Sequence, residues 1–383
     1  MIQHPLYIVA FLCFLVFISE WLCRKTILKH VSSSLLVILL TAIIANIGLL
    51  PSASNASPVY DVVFAYIAPI SIFFLLLGVS LKNLKKAGLP MLGMFFIGAM
   101  GTMMGVAIAL QLIPYTEVFG SSYNAIAGMM TGTYIGGSIN FNAIALHYDV
   151  VRDGAVYTGV VVADSIITGL WMMATIGLPR LFNRKFPNPS MQFNGGEVLE
   201  NEAHNDEEKL DPLQLSLLLG LGVFVLYISD FASEWSASLG LAIPSIIILT
   251  TIALILAQLP IIQKIKGAKL IGMFMVYIFL AVVGAYCEVT ALFDIGQHAI
   301  SILLFTTAIV LIHALFVIFI GWVAKVDWSL VFIASQANIG GSSTALALAK
   351  SLNREDLLLP SILAGTIGNG VGTYFGFLIA GIL

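Results

Sequence analysis

Charge is what this chain of 383 residues has least of. Asp, Glu, Lys and Arg together make up only 10% of it, and the formal net charge is -3. No basic stripe is present, so nucleic acid has no matching surface, and no Walker loop or zinc spacing is present to hold phosphate or metal. The three cysteines, Cys13, Cys23 and Cys287, each lie in or at the end of an apolar run. They read as small apolar residues rather than as a disulfide framework or a metal site, and no cofactor is signalled. The G-x-S-x-G elbow of the serine hydrolases is also missing.

Apolar side chains fill the space that charge leaves. They account for 59% of the residues, and the mean hydropathy of +1.01 lies far outside the range of soluble domains. The chain therefore reads as an all-α polytopic membrane protein. Its first apolar run, Leu6 to Leu22, has neither a basic leader nor a small-residue cleavage site and is expected to stay as a first helix. Because about 20 apolar residues span a bilayer, six segments fall in each half. They cover 5–23, 31–50, 59–81, 88–113, 122–148 and 155–178, then 212–230, 238–259, 268–290, 297–323, 328–352 and 357–383. Residues 1–178 thus form a first transmembrane repeat and 212–383 a second. The acidic, Pro- and Gly-containing stretch 179–211 reads as a polar cytoplasmic linker.

Ile-Gly-Gly-Ser occurs at Ile135–Ser138 and again at Ile339–Ser342, offset by 204 residues, and Gly78 and Gly284 repeat at an offset of 206. The two halves are therefore in register. Basic residues collect at 24–29, 82–86, 180–185 and 264–269, and a single topology with all of them cytoplasmic requires five crossings per half. That count is met if each IGGS segment is a re-entrant hairpin, which leaves only Arg152 outside and makes the second half an inverted repeat of the first. The rival arrangement is an IGGS segment that crosses as a broken helix.

In hydrocarbon, irregular backbone survives only where protein or a watery cavity surrounds it. The paired glycines and their polar flanks therefore mark the candidate solute site: Tyr134, Gly136, Gly137, Ser138 and Asn140 in one copy, and Asn338, Gly340, Gly341, Ser342, Ser343 and Thr344 in the other. Helix N-termini at the two tips suit an anionic group, while the carbonyls ending the entering arms suit a cation. Asp164, deep in its segment, costs about 2.5 to 3.5 kcal/mol on insertion scales and is the candidate coupling residue, holding Na+ or a proton. Thr133, Thr366 and Asn369 stand with it, Asn369 occupying the matching depth in the second half and expected to face Asp164. Glu20 and Glu288 read as interfacial, and Trp21, Trp235, Trp322 and Trp328 as interfacial anchors.

The motifs TGTYIGGSINFNAIA, SQANIGGSSTALALA, VVVADSIITGLW and ILAGTIGNGVGTYFG resemble the YjcL-like family of membrane proteins of unknown function, grouped with the cation:proton antiporter and anion transporter superfamily. The resemblance covers the whole chain. It implies a secondary transporter of the cytoplasmic (inner) membrane, with a scaffold and a mobile core domain, often a homodimer. It also implies that Gly136, Gly137, Gly340 and Gly341 contact solute at hairpin tips. Taken together, the expected activity is Na+- or H+-coupled symport of a small carboxylate, amino acid or short acidic peptide, with lipid as the surrounding medium. The expected core consists of segments 3, 4, the hairpin and 6 of each half, with the first two of each half as scaffold. The alternatives are a cation:proton antiporter, disfavoured by the lack of an Asp-Asp pair, a channel, or an intramembrane hydrolase pairing Ser138 with His147 or His313.

Overall fold

The computed structural model describes residues 3–26, 33–79, 87–188, 211–241 and 243–383. The basic cluster Lys82, Lys85 and Lys86 and residues 189–210 of the linker lie outside them. The described residues are helical, with no strand among them. The longer helices of the first half are α1 (Pro5–Lys25), α2 (Ser33–Asn46), α3 (Pro58–Leu76), α4 (Leu89–Gln111), α5 (Tyr123–Gly136), α6 (Ser138–His147) and α7 (Gly154–Lys185). Those of the second are α8 (Pro212–Ser238), α9 (Ser245–Leu256), α10 (Ala268–Ala285), α11 (Val289–Val323), α12 (Trp328–Ile339), α13 (Gly341–Ser351) and α14 (Leu358–Ile382).

Local sequence explains where these helices start and bend. Proline near the first position opens α1, α3, α4 and α8, where its missing N–H costs nothing. Asp153 caps α7 by accepting from the Val156 amide, and Asp327 caps α12 by accepting from the Ser329 amide. In α3 the turn Val63–Ile67 widens to a π-helix just ahead of Pro69, which relieves the clash of a mid-helix proline with the carbonyl four residues back. Helix α7 runs on to Lys185, seven residues past the expected end of its segment, through Pro179.

Among the described residues eight helices are long and apolar enough to cross a membrane, and two shorter apolar ones, α2 and α9, complete five per half. The chain is a multi-pass membrane protein. The IGGS segments are not among these ten helices. Instead, each doubles back at its glycines. Along α14, Gly136 packs at Gly368, Gly132 and Asn140 both pack at Gly372, and Gly128 and Ile144 both pack at Gly376, so α5 and α6 lie antiparallel on one helix. At the second copy, Arg354, just after α13, is bonded to Asp327, just before α12, at 2.7 Å. The two ends of that segment therefore meet.

Packing partnerships come in matched pairs. α1 and α2 pack on α10 as α8 and α9 pack on α3, and α5 packs on α14 as α12 packs on α7. The third helix of each half thus packs on the first two helices of the other half, and α3 also touches the hairpin helix α6. The reason is a shared apolar surface: Ile70, Phe73, Phe74 and Leu77 of α3 are buried with Leu218 and Val225 of α8 and Leu249 and Ala253 of α9. Trp21, Trp235 and Trp322 are exposed, as anchors are, but Trp328 is fully buried and donates to the Phe186 carbonyl at 2.7 Å.

The fold-back sets up a direct check. Ser121→Cys and Asp153→Cys, each in a background lacking Cys13, Cys23 and Cys287, should both be labelled by an impermeant thiol reagent from the same side of the membrane. Labelling from opposite sides would mean that α5 and α6 together cross.

Candidate functional site

The two glycine breaks meet on one turn of α14. Gly137 has φ +84° and Gly341 φ +78°, the left-handed region that a chain reversal needs and that side chains disfavour. A Cβ on Gly368 would lie 2.2 Å from the Ile135 carbonyl oxygen, and one on Gly365 would lie 2.4 Å from the Ser342 amide. The sequence Gly365-Thr366-Ile367-Gly368 thus offers each hairpin tip bare backbone to rest on. Asn140 fastens the first tip by accepting from the Thr373 amide at 2.9 Å and the Thr373 hydroxyl at 2.7 Å, while donating to the Gly368 carbonyl at 3.4 Å. It is fully buried and acts as a tie between the elements.

Beside the first tip lies a cavity of about 190 Å³, lined by Ser34, Thr133, Ser138, Asn142, Tyr157, Asp164 and Ser165 among apolar residues of α2, α6, α7 and α10. It would hold about six waters at roughly 30 Å³ each, which sets the scale for a small solute. The Asp164 carboxylate accepts from Thr168 at 3.2 Å. The Tyr134 hydroxyl faces the same carboxyl, short of hydrogen-bonding geometry. Tyr157 donates to Asn142 across the cavity wall.

The remaining expected residues are placed unevenly. The Asn369 side-chain oxygen lies 3.7 Å from the point where a Cβ on Gly137 would stand, while Asp164 accepts from Thr168 one turn along its own helix. Thr366 spends its hydroxyl on the Ile362 carbonyl. At the second tip Thr344 donates to the Gly341 carbonyl at 3.2 Å, Ser343 is exposed, and Gly341 has open space beside it. Among the described residues Asn338 is fully buried with neither side-chain atom partnered, and Gln336 leaves its Nε2 unpartnered while Oε1 accepts from Thr175. Such groups cost about 1 to 3 kcal/mol each.

His313 belongs to the second hairpin and not to Ser138. Its Nδ1 lies 2.9 Å from the Gly98 carbonyl and 3.0 Å from the Thr102 hydroxyl, and its Nε2 lies 2.8 Å from the Ser335 hydroxyl. A carbonyl can only accept, so Nδ1 carries the proton. Thr102 in turn donates to the Tyr134 carbonyl at 3.1 Å. One buried histidine thus links both hairpins through α4 and α11. His147 packs against Tyr148 and Phe377 at ring distances of 4.8 and 5.0 Å. Sequence reasoning missed Ser34 and Tyr157, which lie in no motif, and Ser165, which follows Asp164 in VVVADSIITGLW; all three reach the cavity through the packing of α2 and α7.

At the membrane faces the polar groups are paired. Arg354 is held by Asp356 at 2.8 Å and Asp327 at 2.7 Å, which together raise its pKa above the ordinary guanidinium value. Glu288 accepts from the Ser54 amide at 2.8 Å, and that bond, with the Ser54 and Ser52 hydroxyls, holds it below the usual carboxylate range. Glu20 pairs with Arg24 at 2.9 Å.

The family model described as "Protein of unknown function (DUF819)" matches residues 7–383. The chain belongs to the DUF819 family. Among curated proteins this DUF819 chain is similar to the "Uncharacterized membrane protein YjcL" of Bacillus subtilis (strain 168), at 26% identity over 364 residues, which is 90% of this chain and 88% of that protein. Almost the whole DUF819 chain, both hairpins included, thus falls inside the match.

Proposed function

We propose that this protein is a secondary active transporter that carries a small anionic organic solute together with Na+ or H+. The observation that carries the reading is the convergence of both hairpin tips on Gly365 and Gly368 of α14 beside a cavity that contains Asp164. The two tips would approach from opposite membrane faces, as in an inverted repeat. Amides at the starts of α6 and α13 would hold the solute's negative group, and the Asn338 amide and the Gln336 Nε2 would complete its polar contacts. Asp164, with Thr133 and Ser138, would take the coupling cation. The helices α4 to α7 and α11 to α14 would move as one core against a scaffold of α1 to α3 and α8 to α10. Assembly as a homodimer in the cytoplasmic membrane is part of the same proposal.

A cation:proton antiporter is the second reading, favoured by the acceptor-rich lining of the cavity: a carboxylate and several hydroxyls with no cationic side chain. The test is a thermal-stability screen of purified protein with organic acids and short peptides, with and without Na+, followed by counterflow in proteoliposomes. Symport predicts that an acid stabilises the protein and exchanges across the membrane, and that Gly137→Val and Gly341→Val lose this stabilisation. Stabilisation by cations alone would favour antiport. Flux without exchange would sink both carrier readings in favour of a channel.

A further inference from the structure

We propose that the contact of Gly154 with Tyr286 and Cys287, braced by Arg152 on Asp61, is the gate that closes the Asp164 cavity on the Arg152 face of the membrane. This inference rests on the transporter reading.

Gly154 begins α7, and the cavity-lining Tyr157, Val161 and Asp164 follow it down the same helix, opposite Leu280 and Val276 of α10. A Cβ on Gly154 would stand 2.5 Å from the Tyr286 carbonyl carbon and 2.6 Å from the Cys287 nitrogen. Backbone meets backbone there, so no flexible side chain can yield. One turn further in, the Tyr157 ring stands edge-on to Phe279 at 6.5 Å and to Phe141 at 5.2 Å, a second layer of contact between α7 and α10. Outside the contact, Arg152 bonds Asp61 at 2.9 Å and Asp149 at 3.0 Å and lies over the Phe64 ring at 5.7 Å. Further along the cavity Ser165 is exposed and Ser34 and Asp164 are partly so, in contrast to the tightly packed Gly154 end.

These contacts join α7 to α10 and to the start of α3, across the boundary between the proposed core and scaffold. Relative motion of the two groups must break them. By contrast, the similarly tight approach of Gly284 to the Ile38 carbonyl lies wholly within the scaffold and would survive. An exposed ion pair contributes little alone, so the close glycine contact is the main element and Arg152 its brace.

Cys287 is 1% exposed and sits in the gate, which makes it a native reporter. In a background with Cys13→Ala and Cys23→Ala, an impermeant maleimide applied from the Arg152 side should label Cys287 slowly. Gly154→Val should speed labelling by about tenfold or more, because the valine side chain wedges the contact open. Gly169→Val, on the same helix but with nothing within 4 Å of its Cβ, should leave the slow rate unchanged. Arg152→Gln should give about a threefold rise, in keeping with an exposed pair, and serves if Gly154→Val does not reach the membrane. Continued protection of Cys287 in Gly154→Val, or equal labelling in both glycine variants, would overturn the gate. An unchanged rate in Arg152→Gln, where that variant is the one read, would do the same. Labelling requires no solute, so this result stands apart from the outcome of any transport assay.

Discussion

Asp164→Asn should abolish gradient-driven accumulation of solute while leaving solute exchange in place. The substitution keeps the size of the side chain and its place beside Thr168 and Tyr134 but removes the negative charge that would hold Na+ or be neutralised by a proton. A chain that maintains a carboxylate in an apolar segment at a cost of about 2.5 to 3.5 kcal/mol should gain stability from the amide, so purified Asp164→Asn should melt higher than wild type in the absence of ligand. The two coupling ions then separate. With Na+ as the partner, Na+-dependent thermal stabilisation disappears in the variant; with H+, the pH dependence of uptake disappears and Na+ has little effect. Wild-type accumulation under both gradients would remove Asp164 from the mechanism.

Gly368→Ala should be the most damaging single methyl addition among the described residues of α14. Its Cβ would stand 2.2 Å from the Ile135 carbonyl oxygen and 3.0 Å from the Gly136 Cα, and the obstruction is the backbone of the first hairpin. Overpacking typically costs 1 to 3 kcal/mol, and at this position we expect about 3 kcal/mol, read as a lowered melting temperature and loss of solute-induced stabilisation. Gly93→Ala, with nothing within 4 Å of its Cβ, should instead melt at or slightly above the wild-type temperature, since alanine is the better helix former. Equal melting temperatures for the two variants would show that the hairpin does not rest on Gly368.

How much of this was legible beforehand depends on whether the signal was local. The helices were legible because apolar runs and the ordinary length of a membrane span fix them. The glycine pairs were legible because a left-handed φ at Gly137 and Gly341 demands a residue without a side chain. The balance of basic loops pointed to five crossings per half, and among the described residues ten apolar helices lie outside the IGGS segments. What could not be read was partnership. The repeat aligned Asp164 with Asn369 by depth, but depth alone does not say what a side chain meets; rotation about the helix axis decides that, and it brings the Asn369 oxygen near Gly137. Likewise the third helices carry no mark in sequence of which bundle they join, because an all-round apolar helix such as α3 can pack on either neighbour. His313 stood alone in sequence and gained Ser335, Thr102 and Gly98 only through tertiary packing.

The resting place of the first hairpin has a consequence for how the protein is made. α6 ends at His147 and α14 begins at Leu358, so about 210 residues must be synthesised between them. At about 5 to 20 residues per second the hairpin waits roughly 10 to 40 s for the helix it lies against. Throughout that interval Asn140 lacks the Thr373 amide and hydroxyl that it accepts from in the finished fold. The nascent chain must therefore keep α5 and α6 in a shielded setting, such as the insertion machinery or the groove between earlier helices, until α14 arrives. A chain stalled before Leu358 is therefore expected to leave Asn140 without these partners and to be less stable than the full chain.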